Sequence, residues 1–467
     1  MKKLFTILVS AASVLSMAAT TVTVTPNGST CTLMVDDITL TDVSVIHHGE
    51  VNIAAVHRGD VTVLACYTDA ATLVADGTLR GEAFHYATPS ADAYIASFQI
   101  PNGGFEAWRA SSGEPDRWHG FKSAKGWLAG RAKGTLASSD DVRPGSTGSK
   151  SALLTSASTF GIINNGTMTN GQLQAASMSA SDAANHSEMD VESTETDNNG
   201  DRFYTALKAA PDAIATWIKF SQATYNADHR YATMSAVAFD GTYYQDPEDK
   251  TYTNVAAKAQ NQTIEQGTWR LLTIPFDYDS YATNQADANA ILITISTNAD
   301  AGQGSNGDQV WVDDMTLVYN AAVAAITATG LEGFAFNAEQ HSYALTYKGA
   351  PLTLTADNFT VTTVGRSATA VKAVEDLGDG NYSIVLGAVS ADMSTATFYT
   401  ITVTRQSEPE WQRGDVDHDG FIDIADVNAI INALLTGDQP VDYDLNGDGS
   451  VDIGDVNEII NIMLKSN

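Results

Sequence analysis

The chain has 467 residues, with 25 Lys plus Arg against 56 Asp plus Glu and a formal net charge of −31. That balance excludes a protein built to neutralise phosphates, so neither nucleic acid nor an anionic membrane surface is an expected partner. Hydrophobic residues reach 43% and charged residues only 17%; this is not the composition of a disordered chain, and at roughly 100–200 residues per domain it predicts three or four cores.

Met1-Lys2-Lys3 precedes an apolar run from Leu4 to Met17 that closes on Ala18-Ala19. Residues 1–19 read as a secretory signal peptide, cleaved after Ala18 or Ala19. The run is about 14 residues, short of the ~20 a spanning helix needs. No Cys follows it for acylation, and no later stretch is long and apolar enough to cross a bilayer. A secreted protein without membrane insertion after cleavage is expected, extracellular or held at the cell surface by a scaffold. Export permits a disulfide between Cys31 and Cys66; two buried thiols fit the sequence equally well.

Residues 20–98 alternate polar and apolar positions. Thr20–Thr25, a turn at Pro26-Asn27-Gly28 and Thr30–Val35 read as a hairpin. Further strands are expected at Val51–Val56, Val61–Cys66 and Tyr94–Ile100. The stretch resembles the calycin-like β-barrel domains of exported gut-bacterial proteins, although it is short for a full barrel. His47-His48 has no third metal ligand at a useful spacing and reads as a solvated strand end.

Residues 99–320 carry short Ser/Thr-rich strands at Ser151–Leu154, Thr216–Phe220, Thr233–Phe239, Thr268–Pro275, Ala290–Ser296 and Val310–Tyr319, with long polar loops between them. That rhythm predicts a jelly-roll β-sandwich. Residues 321–406 alternate cleanly, as in Asn381–Leu386 and Phe398–Val403. They predict an immunoglobulin-like β-sandwich that acts as a spacer. Residues 407–410 break the pattern and read as a linker.

The densest chemistry follows. Residues 409–467 hold 13 of the acidic and 2 of the basic residues, so about a third of the negative charge lies in one eighth of the chain. Two twelve-residue segments repeat at an offset of 29, starting at Asp415 and Asp444. The first places oxygen side chains at Asp415, Asp417, Asp419, Asp423 and Asp426, and the second at Asp444, Asn446, Asp448, Asp452 and Asp455. These are loop positions 1, 3, 5, 9 and 12, with Gly420 and Gly449 at the sharp turn of position 6. The carbonyls of Phe421 and Ser450 fall at position 7. A Ca2+ ion takes six to eight oxygens, and alternate residues of a tight loop converge on one point, so two Ca2+ sites are expected. A helix follows each loop, with apolar spacing at Val427, Ile430, Ile431, Leu434 and Leu435 and at Val456, Ile459, Ile460, Met463 and Leu464. Pro409 and Gly414 stand where a preceding helix would be, so these are loop–helix units.

On those residues 411–467 resemble a type I dockerin, the small all-α module that plugs secreted polysaccharide-degrading proteins into cohesins. The resemblance implies a cohesin module of a scaffold protein as partner. It also implies recognition positions at Ile424 and Ala425 in one repeat and at Ile453 and Gly454 in the other. Many dockerins carry Ser or Thr there.

The 99–320 span opens with Asn102-Gly103-Gly104-Phe105-Glu106 followed by Trp108, and closes with Val310-Trp311-Val312-Asp313-Asp314-Met315. Both motifs resemble carbohydrate-binding jelly rolls, and more specifically the carbohydrate metabolism domain of gut Bacteroidetes proteins. The resemblance implies that the two ends meet and that Glu106 with Asp313 or Asp314 holds one structural Ca2+; solvent-facing edge carboxylates are the equal alternative. Sugar recognition needs flat aromatic faces, and Trp118, Trp127, Tyr243 and Tyr244 are the loop candidates. Trp217, Trp269 and Trp311 lie in alternating strands and read as core. The G-x-G-x-x-G at Gly302–Gly307 leads into a strand and is no dinucleotide site.

The expected architecture is therefore multidomain and mostly β, with a β-barrel-like module, a jelly roll, an Ig-like sandwich and a dockerin. A non-catalytic polysaccharide-binding component docked on a cohesin scaffold is the favoured function. A hydrolase or lyase with a β-sandwich active site is the alternative, and a structural or adhesive surface component is the third.

Overall fold

A computed structural model describes residues 20–35, 37–59, 61–68, 72–77, 84–89, 93–406 and 412–466. The predicted leader at 1–19 and the linker at 407–410 lie outside the described residues.

The first module is a closed barrel of seven strands: Thr20–Asn27, Thr30–Val35, Ile38–His48, Val51–Arg58, Val61–Tyr67, Thr72–Gly77 and Phe84–Pro89. The sequence pattern stops short of this. Closure depends on the last two strands, where Phe84–Pro89 pairs in parallel with Val61–Tyr67 and Thr72–Gly77 returns to Thr20–Asn27. Period-2 alternation sends Val22, Leu33, Val43, Val56, Val63 and Leu73 into a dry interior. Gly28, Gly49 and Gly59 take the positive φ of the tight connections. The stretch expected as a strand at Tyr94–Ile100 instead forms a helical turn over Ala93–Ala96. Cys31 and Cys66 are buried free thiols. Cys31 faces the barrel interior and Cys66 the outer wall, and burial pushes both thiols up.

The jelly roll stacks two antiparallel sheets. One orders Gly267–Pro275, Ala213–Ser221, Gln309–Val318, Ser151–Thr155 and Thr135–Ser139. The other orders Thr167–Thr169, Ala290–Ser296, Ala232–Phe239 and Val255–Ile264. Inward residues of both, among them Ile214, Ile218, Val312, Met234, Ile291 and Ile293, share one core. The two ends of the span meet, as expected. The Met315 N–H donates to the Gly103 carbonyl at 2.8 Å, and Gln99 bonds Leu317 through both its amide atoms. A Cβ on Gly103 would stand 2.2 Å from the Met315 carbonyl oxygen, so this approach requires glycine.

Trp217, Trp269 and Trp311 are not core. They lie half-buried on the outer face of the five-stranded sheet. The Arg143 guanidinium sits over Trp217 at 5.5 Å, the Lys219 ammonium sits over Trp311 at 4.1 Å, and Trp269 donates to Asp141 at 2.9 Å.

Residues 321–406 pair Val323–Ala328 with Phe359–Thr363 and form a four-stranded sheet from Ser342–Tyr347, Ala396–Arg405, Asn381–Val389 and Thr369–Gly378. This module is no spacer. Val371, Val385, Met393 and Phe398 pack on the barrel's outer wall of Ile53, Leu64, Cys66 and Tyr86. Ser383 donates to the His57 carbonyl at 2.6 Å, and Arg58 pairs with Glu375 at 2.7 Å. Barrel, jelly roll and most of this module make one compact unit, and the second unit takes in residues 402–467.

That second unit carries helices over Ile424–Thr436 and Ile453–Ser466. Val416, Val427, Ile430, Leu445, Val451, Val456 and Ile459 form its small core. Gly437 closes the first helix in the left-handed conformation, φ 77°.

Candidate functional site

The two repeated loops fold alike because the same side chains bond the same backbone groups. In the first, Asp415 accepts from the Asp419 and Gly420 N–H groups at 3.1 and 3.0 Å. In the second, Asp444 accepts from Gly447, Asp448 and Gly449 at 2.8, 3.1 and 2.8 Å. Asp419 and Asp448 each accept the N–H two residues on, at 2.9 and 3.0 Å. Position 12 ties each loop shut. Buried Asp426 accepts from Val416 and Asp417 with one oxygen and from Asp423 with the other, at 2.7, 3.1 and 2.8 Å. Buried Asp455 does the same for Asn446 and Asp452 at 3.0 and 2.8 Å. Position 9 starts the helix: Asp423 caps the Ala425 N–H at 2.7 Å and Asp452 caps Gly454 at 2.6 Å.

Ligand oxygens of Asp415, Asp417 and Asp419 all lie within 4.8 Å of one another. Two oxygens bound to one Ca2+ at about 2.4 Å can be no farther apart than about 4.8 Å, so the residues present fit the ion. Desolvation and then the carboxylates of Asp419, Asp426 and Asp415 push the Asp417 carboxyl up, as expected where acids converge on a place suited to a cation.

Ile424 and Ile453 stand at matching first positions of the two helices, 63% and 67% exposed. Ala425 and Gly454 beside them are half-buried. Ile431 with Leu435 and Ile460 with Leu464 are also exposed, so each helix shows a second apolar face that its own core leaves uncovered.

In the jelly roll the expected Ca2+ ligands have other partners. Glu106 accepts from Ser149 N–H and hydroxyl and from Lys150 N–H at 2.9, 3.1 and 2.9 Å. Asp314 pairs with the Arg143 guanidinium, while buried Asp313 accepts from the Arg143 and Asp314 N–H groups at 3.0 and 2.9 Å. Among the described residues these carboxylates form no cluster of metal ligands.

The aromatic candidates divide. Trp118 and Tyr244 are both 0% exposed and offer no face to a sugar. Trp118 packs on Phe105 at 5.3 Å, and Tyr244 on Phe239 and Tyr252 at 5.5 and 5.0 Å. Trp127 is 51% exposed, and Tyr243 is 38% exposed with its hydroxyl donating to Glu188 at 2.9 Å.

A cavity of 480 Å3 lies over the outer face of the four-stranded sheet. Alternation puts Thr233 with Ser235, Gln260 with Gln262 and Thr294 with Ser296 on its floor. Ser296 faces Thr233 and Thr294 faces Ser235 across the strands, and Gln260 donates to Ser235 at 3.1 Å. Phe160, Ile162 and Met178 supply apolar wall, and Asp182, Asp246 and Glu248 supply its acids. Burial pushes the Asp246 carboxyl up, and Glu248 pairs with Lys258 at 2.8 Å. Three polar pairs at i and i+2 on three strands were the available sequence signal for this floor.

No curated protein matches the chain. A candidate glycoside hydrolase from Bacteroides thetaiotaomicron is 13% identical, with 57% of this chain and 93% of that one covered at a TM-score of 0.35. The family 22 carbohydrate-binding module of Clostridium thermocellum Xyn10B is 12% identical, covering 47% and 97% at a TM-score of 0.20. A non-crystalline-cellulose-specific module, CBM28, is 8% identical, covering 47% and 93% at a TM-score of 0.22. Residues 413–464, which contain both carboxylate loops and nearly all of both helices, match the dockerin type I domain.

Proposed function

We propose that the chain is a secreted, non-catalytic carbohydrate-binding component, coupled through a Ca2+-dependent dockerin to a cohesin-bearing scaffold for polysaccharide degradation. The observation that carries this reading is the duplication of an exposed apolar stripe beside a duplicated carboxylate loop. Ile424, Ile431 and Leu435 repeat 29 residues on as Ile453, Ile460 and Leu464. Positions i, i+7 and i+11 share one helix face, and a small soluble module keeps such a face uncovered to bind a partner. The small residues Ala425 and Gly454 leave room for that partner's backbone. Bound Ca2+ supplies the cross-link that holds each loop against its helix. The test is capture of the full chain on an immobilised type I cohesin in calcium and again in chelator. Calcium-dependent capture is expected, and equal capture in both would remove the metal from the mechanism.

The cavity over the jelly-roll sheet supports the carbohydrate half of the reading, because amides and hydroxyls beside apolar wall suit a sugar's hydroxyls and its apolar ring face. One observation favours a second reading. Asp246 and Glu248 share this cavity, and burial holds the Asp246 carboxyl toward its protonated form, as a glycosidase's general acid requires. Reducing-sugar release by the full chain that Asp246→Asn abolishes would establish the hydrolase. Binding without release supports the non-catalytic role.

A further inference from the structure

Four oxygens at the cavity have no partner in the fold: Ser187 Oγ, Thr294 Oγ1, Asn164 Oδ1 and Asn165 Oδ1. Ser187 is 1% exposed, so its unmet hydroxyl is costly unless something in the cavity bonds it. A second feature stands at the rim. Phe160 and Gly161 are the two central residues of the hairpin joining Ala157–Thr159 to Ile162–Asn164, and both have positive φ, 53° and 84°. Asn or Gly sits in such a turn without strain, whereas a bulky aromatic residue does not. Phe160 is nonetheless there, 71% exposed, and it is one of the residues lining the cavity. Strain retained at a binding cleft marks a side chain kept for what it contacts.

Charge narrows the ligand. Among the described lining residues there is no Lys or Arg, while Asp182, Asp246 and Glu248 are present. His186 is the one lining ring able to carry positive charge, and Glu188 holds it at 3.1 Å. A sugar acid would bring a carboxylate to a wall that holds three acids and no Lys or Arg, and whose one ionisable ring is already engaged by Glu188.

We infer that this cavity takes a segment of a neutral polysaccharide and rejects polyuronates, with Phe160 stacked on a pyranose face and the floor of Ser235, Gln260, Gln262 and Thr294 bonding its hydroxyls. The volume lies in the roughly 300–1,000 Å3 range of ligand pockets. The inference rests on the carbohydrate-binding reading above and names its site and ligand class.

The test is affinity electrophoresis of the full chain in gels containing mixed-linkage β-glucan, xylan, galactomannan or polygalacturonate. Phe160→Ala, the double variant Gln260→Ala with Gln262→Ala, and Trp127→Ala run alongside, each with its melting temperature. Retardation by at least one neutral polymer and not by polygalacturonate is expected. Phe160→Ala should weaken it about tenfold at unchanged melting temperature, the double variant should weaken it also, and Trp127→Ala should leave it unchanged. Retardation by polygalacturonate alone would overturn the ligand class and leave carbohydrate binding standing. Neutral binding that survives both cavity variants, or that only Trp127→Ala removes, would overturn the site. No retardation in any gel would overturn the carbohydrate reading itself, which cohesin capture of the same preparation tests separately.

Discussion

Arg109 Nη1 donates to Asp197 Oδ2 at 2.7 Å across 88 residues of sequence, with both side chains sealed from solvent. The same guanidinium reaches Glu114 at 3.1 Å and the Trp118 carbonyl, and Glu114 in turn accepts from the Gly120 and Lys122 N–H groups at 3.0 and 3.1 Å. One cation thus fixes the long loops that flank the jelly-roll sheets. Arg109→Met should destabilise the protein by about 3–5 kcal/mol in urea, because it leaves two buried carboxylates unpaired. A loss under about 1 kcal/mol would show that the network carries little.

His119 belongs to that hub and is 1% exposed. Burial, then Arg109, push its pKa down to about 3 against the upward pull of Asp197, and Arg117 adds a smaller downward push. The unfolded chain binds this proton near pH 6.5 and the folded chain only near 3, so unfolding takes up a proton between those values. His119 should therefore cost stability as pH falls from about 6.5, by about 1.4 kcal/mol per unit. Melting temperatures of wild type and His119→Gln from pH 7.5 to 4.5 should diverge less at the acid end. Parallel curves would count against this.

Trp118 and Trp127 should behave oppositely on substitution. Trp118→Ala empties a buried site and should cost about 3–5 kcal/mol, whereas Trp127→Ala should change stability by no more than about 0.5 kcal/mol. Scanning calorimetry distinguishes them, and equal melting shifts would contradict the difference in burial between the two rings.

In the sequence the two tryptophans look alike, both in loops with Gly and charged neighbours, because burial is decided by what folds over a residue. The carboxylate loops were legible, since ligand spacing within twelve contiguous residues is local geometry. Barrel closure was not: it depends on a parallel pairing of Phe84–Pro89 with Val61–Tyr67 and on the return of Thr72–Gly77 to the first strand. The cavity was half legible. Thr233 with Ser235 and Thr294 with Ser296 mark an outward face by period alone, but the Phe160 hairpin at its rim comes from elsewhere in the chain.

The two helices of the span that matches the dockerin domain should substitute for each other. Ile424→Asp or Ile453→Asp alone should leave cohesin affinity within a few-fold, and both together should cost at least roughly 2 kcal/mol, about thirtyfold. Calorimetric titration reads this directly, and full loss from one substitution would assign binding to a single helix.

Calcium removal should act on residues 412–466 ahead of the rest of the chain. Their core is small, and nine carboxylates repel without the ion. Limited proteolysis in chelator should cut first within that span and leave the remainder protected. The same pattern with and without calcium would contradict the metal's role in folding.

The barrel's outer wall is finished late. Ile53, Leu64, Cys66 and Tyr86 are covered by Val371, Val385, Met393 and Phe398, roughly 300 residues further along. At synthesis rates of roughly 5–20 residues per second, about 15–60 s pass between the barrel's last strand and the residues that cover it. For that interval the nascent chain carries a bare apolar patch, so production of this protein is most exposed to misassembly before its third module emerges.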